Sequence, residues 1–171
     1  MSKALSDKTM KDLFGDFTYT EDPRKKGLII PDPVWVAEHI VSVSVPYADN
    51  DNPKIFKMKC HKAVQDSIIN AFDELERRGW LNLVRTVDGC FVPRHRLWNP
   101  KNGRSRHSWG IALDLNVPTC PYGKDVMQPP GVLLVFARHG FLFGHLGSGL
   151  WSDKATPDAM HGEWVLPYLP K

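Results

Sequence analysis

Hydrophobic and polar residues alternate at several places along the chain, with the two-residue period of a half-buried β-strand. Residues 41–45 read Val-Ser-Val-Ser-Val and predict a strand that Pro46 closes. Residues 110–116 alternate in the same way and predict a second strand. Two later segments, Phe-Leu-Phe-Gly at 141–144 and His-Gly-Glu-Trp-Val at 161–165, predict the last strands.

Other segments favour helices. The clearest covers about residues 60–78, where apolar side chains recur at helical spacing and Gly79 supplies a C-terminal stop. A second helix begins near the two prolines at 129–130, which suit a first turn, and ends at a glycine. A short helix is expected to open the chain after Ser6 or Asp7.

The remaining segments indicate connections and turns. Residues 20–33 are polar and interrupted by prolines, and residues 47–54 are rich in turn-forming residues. Residues 82–92 are typical of two short strands around an Asp-Gly turn at 88–89. Short strands with two or three helices, without regular β-α-β alternation, predict an α+β fold.

Composition narrows the class of protein. A chain of 171 residues is long enough for one domain with a single core, and we expect a monomer in which residues 1–34 pack as an extension on a core of about 35–165. The net charge of +3 is too mild to indicate nucleic acid as a partner. Three widely spaced cysteines offer no disulfide framework. No apolar stretch predicts a signal peptide or membrane insertion.

The chemistry of the chain centres on Asp114, which lies between two leucines in a strand that otherwise reads as core. Burying an unpaired carboxylate costs several kcal/mol, so a partner must compensate its charge. His107 lies seven positions earlier, and Asp158 and His161 lie three positions apart further along. Two histidines and one carboxylate, with a fourth position for water, form a ligand set of catalytic zinc, and a second carboxylate nearby can take a proton from that water.

These residues carry a resemblance to a known family. The pattern Ser105-x-His107-x-x-Gly110-x-Ala112-x-Asp114, followed by Asp158-x-x-His161, resembles the signature of the zinc peptidases that cut peptidoglycan stem peptides. That family includes D-alanyl-D-alanine carboxypeptidases and dipeptidases of the VanY and VanX type and the L-alanyl-D-glutamate endopeptidases of bacteriophage lysins. The resemblance covers about residues 35–165 and implies their fold, which hedgehog signalling domains share: a small antiparallel sheet with flanking helices.

The resemblance implies a role for each matched position. His107, Asp114 and His161 would bind one catalytic zinc ion, Asp158 would be the general base, and Arg94 would polarise the scissile carbonyl. A second group of residues is expected to support these ligands or to contact substrate: Ser105, Glu163, Trp109 and Arg96. Ser105 is expected to orient the loop that carries the first histidine, and Glu163 to steady a histidine or an arginine.

The sequence leaves the reaction open between alternatives. We expect an L-alanyl-D-glutamate endopeptidase of a phage or prophage, made in the host cytoplasm and acting on the cell wall after release. A D-alanyl-D-alanine carboxypeptidase is the first alternative, and it would need a cationic group for the free carboxylate, supplied by Arg96, Arg104 or Arg106. A non-catalytic zinc-binding module of the same fold is the second, although the joint presence of Asp158 and Arg94 argues against it.

The chain departs from the family pattern at two places. Relatives commonly have an aromatic residue after the last histidine, where this chain has Gly162, and a glycine pair before a tryptophan, where this chain reads FGHLGSGLW. Neither departure removes a ligand, but both affect the wall of the expected pocket. His139 and His145 could form a second site, although helix-end and loop roles are commoner for such histidines.

Overall fold

The computed structural model describes residues 5–49, 52–144 and 156–165, and these form an α+β fold, as predicted. All strand pairs named in these ranges are antiparallel: β1 pairs with β2, β3 with β4, and four strands form a sheet in the order β5-β6-β8-β7. The helices are α1 (Asp7–Phe14), α2 (Pro33–His39), α3 (Gln65–Arg77) and α4 (Pro130–Arg138), and the strands are β1 (Tyr19–Glu21), β2 (Ile29–Pro31), β3 (Ile40–Asp49), β4 (Asn52–His61), β5 (Val87–Gly89), β6 (Ala112–Leu115), β7 (Phe141–Gly144) and β8 (Asp158–Trp164).

The four-stranded sheet contains the strands that the 110–116, 141–144 and 161–165 patterns predict. Strand β6 lies between β5 and β8, and its leucines are fully buried. Strand β8 begins at Asp158, three residues before the predicted segment. Pairing of β6 with β8 sets Asp114 directly opposite His161, which brings two distant parts of the sequence together.

The helices form largely where the sequence predicts them. Ser6 caps α1 by accepting a hydrogen bond from the Thr9 amide, and α4 begins at Pro130, where a missing N–H costs nothing. Helix α3 begins at Gln65 rather than near residue 60, because β4 continues to His61 and a 3₁₀ turn follows. None of the helices in the described ranges has the length and apolarity needed to span a bilayer.

The long hairpin of β3 and β4 corrects two expectations. Strand β3 runs through Pro46 to Asp49, and residues 52–54 belong to β4 rather than to a loop. Pro46 is tolerated because β3 belongs to a two-stranded ribbon, in which an outward-facing position needs no amide hydrogen. The turn-rich composition of 47–54 therefore marks the end of a hairpin whose strands reach further than the pattern suggests.

Two further segments differ from the sequence-based prediction. Residues 20–33 include most of the β1–β2 hairpin and the start of α2, so they are not simply a connection. Residues 82–92 contain one strand, β5, and its Asp88-Gly89 pair forms no hairpin turn, because Val87 and Gly89 pair with Leu115 and Asp114 of β6. In both places long-range pairing outweighs the local turn signal.

Residues before Trp35 belong to the same hydrophobic core as the rest of the protein. Met10 and Phe14 of α1 are almost completely buried, and Phe17 and Ile29 also join the core cluster. The Trp109 indole donates a hydrogen bond to the Gly15 carbonyl at 3.0 Å. The N-terminal segment therefore packs directly on the part of the chain that carries the candidate ligands.

Candidate metal centre

A 3₁₀ turn at residues 106–108 delivers His107 to the end of the sheet. Ser105 caps this turn, and its hydroxyl accepts a long hydrogen bond of 3.4 Å from the His107 amide. Gly110 follows with φ +67°, and a Cβ there would lie 2.8 Å from the His61 amide nitrogen. The glycine of the motif is thus required both by its backbone conformation and by a close approach of β4.

Three potential ligand atoms meet where this turn faces the β6–β8 pair. His107 Nε2 lies 3.0 Å from His161 Nδ1 and 3.2 Å from Asp114 Oδ1, and the latter two atoms are 3.1 Å apart. Ligands about 2.0–2.1 Å from a tetrahedral metal lie roughly 3.3 Å from one another, close to the spacing found here. His107, Asp114 and His161 therefore form a group that could hold a metal ion.

The His107 ring is held in the tautomer that a metal ligand requires. Its Nδ1 lies 2.8 Å from the Cys90 carbonyl oxygen, which can only accept a hydrogen bond. The proton of a neutral ring must therefore be on Nδ1, and the lone pair of Nε2 points at the other two ligand atoms.

The His161 ring is oriented in a similar way by a carboxylate. Its Nε2 lies 3.3 Å from Glu163 Oε1, and Glu163 is buried, so Nε2–H donates to this carboxylate and Nδ1 faces Asp114. Glu163 thus contacts the ligand two residues before it, as the two-residue period of a strand predicts. With both rings neutral, three lone-pair-bearing atoms would face one another, an arrangement that favours a cation between them.

The pKa shifts of His161 and Asp114 in the metal-free protein also favour a cation at this place. Burial lowers the pKa of His161, but hydrogen bonds to Asp114 and Glu163 outweigh it and raise that pKa to about 10. Burial raises the pKa of Asp114, but the two imidazoles outweigh it and hold that pKa well below its usual range. The group of His107, Asp114 and His161 therefore favours a positive charge among its members. In the metal-free protein a proton on His161 supplies that charge.

A cavity of about 740 Å³ opens beside this group, and His161 is the member that lines it. Asp158 lines it, and its Oδ1 is buried and has no hydrogen-bond partner among the described residues. Burial raises the pKa of this carboxyl to about 6. An unpartnered carboxylate oxygen beside a potential metal site, with a pKa near neutrality, has the properties of a general base.

Arg94 lines the same cavity. Its guanidinium lies 5.2 Å from the centre of the Trp98 ring, and Asp114 and Asp158 act on it electrostatically. Ser108 holds its backbone at both ends, accepting from the Arg94 amide at 2.9 Å and donating to the Arg94 carbonyl at 2.8 Å. No local sequence pattern indicates this contact of Ser108, because the two segments meet only in the folded chain.

The other expected support residues divide into two groups. Ser105, Glu163 and Arg96 all line the cavity. Trp109 does not, because it is only 2 % exposed and its ring packs in the core, where the Arg104 guanidinium lies 4.2 Å from the ring centre. The structure thus places Trp109 in the core, outside the lining of the cavity.

Two other expectations concern the cavity surroundings. His139 is the C-cap residue of α4, and its Nε2 lies 2.8 Å from Glu74 Oε2, so it takes a helix-end role. His145 and most of the FGHLGSGLW segment lie outside the described residues. At Gly162 an added Cβ would come within 2.9 Å of the Phe143 ring, which explains why no larger residue follows the last ligand.

Similarity to other proteins gives no independent assignment of this centre. Comparison with protein-family models, with curated proteins and with solved structures finds no match to this chain. A functional conclusion therefore depends on the chemistry of the His107, Asp114 and His161 group and of the cavity beside it.

Proposed function

We propose that the protein is a zinc-dependent peptidase that hydrolyses peptidoglycan stem peptides, most specifically an L-alanyl-D-glutamate endopeptidase acting as a phage or prophage lysin. The observation that carries the proposal is the convergence of His107, Asp114 and His161 beside the unpartnered carboxylate oxygen of Asp158. The motif resemblance supplies the substrate class.

The donor set supports zinc as the metal. Imidazole nitrogen and carboxylate oxygen are ligands that zinc accepts readily, and two histidines with one carboxylate are typical of its catalytic sites. Structural zinc sites are usually closed by four protein ligands, whereas the described residues supply three. A zinc ion held there would supply Lewis-acid activation of the scissile carbonyl and of the attacking water.

The residues around the metal would share the remaining work of hydrolysis. Asp158 would accept a proton from the attacking water as the new C–O bond forms, and would pass that proton to the nitrogen when the C–N bond breaks. Arg94, at the cavity wall, would stabilise the negative charge that develops on the carbonyl oxygen. Glu163 would keep the His161 ring in its ligand tautomer.

The cavity has the size of a short peptide segment. A volume of 740 Å³ corresponds to a space roughly 9 Å across, and an extended residue spans about 3.4 Å, so two or three residues fit. Exposed apolar side chains, Leu97 and Tyr122, line it together with charged ones. This mixed lining suits a stem peptide, which contains both alanyl and charged residues.

A digest of purified peptidoglycan tests the proposal. The zinc-loaded protein is compared with Asp158→Ala and with the control Asp125→Ala, an exposed aspartate outside the cavity lining. New N-terminal D-glutamate, detected by mass spectrometry with the wild type and control but not with Asp158→Ala, supports the endopeptidase. Released D-alanine would instead identify the carboxypeptidase. Binding of zinc without any difference among the three digests would identify a non-catalytic zinc module.

A further inference from the structure

Arginines occur at four positions of the segment 94–106, and the fold uses two of them to hold the N-terminal segment. Arg104 donates to Asp16 at 2.8 Å and to the Phe17 carbonyl at 3.0 Å. Arg106 donates to Asp7 at 2.9 Å and also to the Leu5 carbonyl. Both guanidinium groups are therefore held by the N-terminal segment. Arg106 also lines the cavity, where its buried Nε lies 3.7 Å from Glu163 Oε2 and makes no hydrogen bond with the described residues.

Arg96 differs from both. Its side chain is exposed, lines the cavity, and makes no hydrogen bond or ion pair through its guanidinium with any described residue. Its backbone is nevertheless fixed, since its amide donates to the Gly103 carbonyl at 3.0 Å and its carbonyl accepts from Asn102 Nδ2 at 2.9 Å. The Arg96 backbone thus holds the residue at the cavity wall, while the side chain stays exposed to solvent.

Gly103 allows the Arg96 side chain to lie against this wall. A Cβ added at Gly103 would come within 3.1 Å of Arg96 Nη2 and within 3.8 Å of its Nε. The guanidinium therefore extends along the backbone of residue 103, in space that any larger residue would share.

The charges of the cavity wall leave Arg96 without a compensating anion. Glu163 interacts with His161 and, at 3.7 Å, with Arg106. Asp158 interacts electrostatically with Arg94. A guanidinium presents paired N–H donors that match the two oxygens of a carboxylate, so a carboxylate on a peptide bound in the cavity could pair with Arg96.

We propose that Arg96 determines specificity by binding the free carboxylate on the α-carbon that is attached to the scissile nitrogen. The inference rests on the proposed function and deepens it. In an L-alanyl-D-glutamate bond this group is the α-carboxylate of D-glutamate, since the stem continues through the γ-carboxyl group. Amidation of that carboxylate removes its charge and one of its acceptors, so the enzyme distinguishes D-glutamate stems from D-isoglutamine stems.

Two synthetic peptides test the proposal: L-Ala-γ-D-Glu-L-Lys and the same peptide with its glutamate α-carboxyl amidated. The wild type is expected to cleave the acid about 10- to 100-fold more efficiently than the amide in kcat/KM, mainly through KM, because a charge-assisted bidentate contact is lost. Arg96→Gln is expected to bring the acid down to the level of the amide. Arg96→Lys should retain part of the preference for the acid, because lysine keeps the positive charge but lacks the planar pair of N–H donors of a guanidinium. The control Lys101→Gln removes an exposed cation of the same loop and should keep the full preference.

The outcomes separate this inference from the proposed function. Equal cleavage of both peptides by the wild type, or an equal loss on both peptides in Arg96→Gln, would overturn the role of Arg96 and leave the peptidase intact. Cleavage of neither peptide by a wild type that also leaves peptidoglycan undigested would overturn the peptidase, and the role of Arg96 with it.

Discussion

Replacing Glu163 by glutamine tests how the His161 ring is held for metal binding. The carboxylate accepts from His161 Nε2 at 3.3 Å and lies buried behind the ligand. Glutamine keeps the shape of the side chain and one acceptor oxygen, but it removes the negative charge that favours an N–H at Nε2 and a lone pair at Nδ1. The variant should therefore bind zinc more weakly without a change of fold.

The size of this effect follows from the contact. Groups that orient a metal-binding histidine are worth about 10- to 100-fold in metal affinity. Because glutamine preserves an acceptor, we expect the lower limit, a Kd about tenfold higher, or about 1.4 kcal/mol. The second partner of Glu163 adds little, since the Arg106 Nε lies 3.7 Å away and that arginine retains its bond to Asp7.

Competition of the protein with a chromophoric zinc chelator measures this Kd. Glu76→Gln, which removes an exposed carboxylate of α3, is the matched control and should bind zinc as the wild type does. Circular dichroism checks that both variants keep the fold. A Kd for Glu163→Gln within a factor of two of the wild type would refute the argument that this carboxylate fixes the ligand tautomer.

Three further predictions concern stability. Burial raises the pKa of Asp158 from 3.8 to about 6, so the folded state binds more protons than the unfolded state between these values and loses stability as the pH rises through them. Asp158→Asn should therefore raise the free energy of unfolding of the metal-free protein, measured in urea, by roughly 1–2 kcal/mol at pH 7. It should leave this free energy unchanged at pH 3. A destabilised variant at pH 7 would contradict this reasoning. Asn116→Ala should cost about 3 kcal/mol in the same assay, because the buried Asn116 side chain makes hydrogen bonds to the backbone of Arg85 and Leu83 and to the Gln128 side chain; a loss below 1 kcal/mol would count against this. Gly110→Ala should cost at least about 2 kcal/mol in urea and weaken zinc binding, because φ is +67° and the new Cβ would clash with β4; unchanged zinc affinity would show that the ligand turn tolerates the shift.

Local sequence signals were sufficient where an element is defined by its own residues. Strand β6 and helix α4 follow from periodicity and from the proline at the helix entrance. Strand β4 could not be found in this way, because its residues 52–54 are typical of a turn and become a strand only by pairing with β3. The Asp88-Gly89 pair predicted a hairpin turn, and this was wrong for the same reason, since β5 pairs with β6 and not with a neighbouring segment of the sequence.

The candidate site shows the same division. The motif resemblance implied that His107, Asp114 and His161 lie together, and the structure brings their potential ligand atoms within hydrogen-bond distance. The groups that orient these residues are harder to predict from sequence, because the acceptor for the His107 ring is the backbone carbonyl of Cys90, which any residue type could supply. Which arginines pair within the protein depends on contacts with the N-terminal segment, which no local pattern encodes.

The three cysteines provide a chemical reporter of the metal centre. Cys60, Cys90 and Cys120 are buried free thiols, and burial raises the pKa of each, so the reactive thiolate is scarce in the folded protein. Cys90 lies behind His107, whose Nδ1 donates to its carbonyl. The Cys90 thiol donates to the Gly110 carbonyl at the end of the turn that carries His107, so we expect alkylation when this turn separates from the sheet. Zinc that binds only the closed centre should slow the alkylation by the factor 1 + [Zn²⁺]/Kd, so a maleimide time course reads metal occupancy without any substrate.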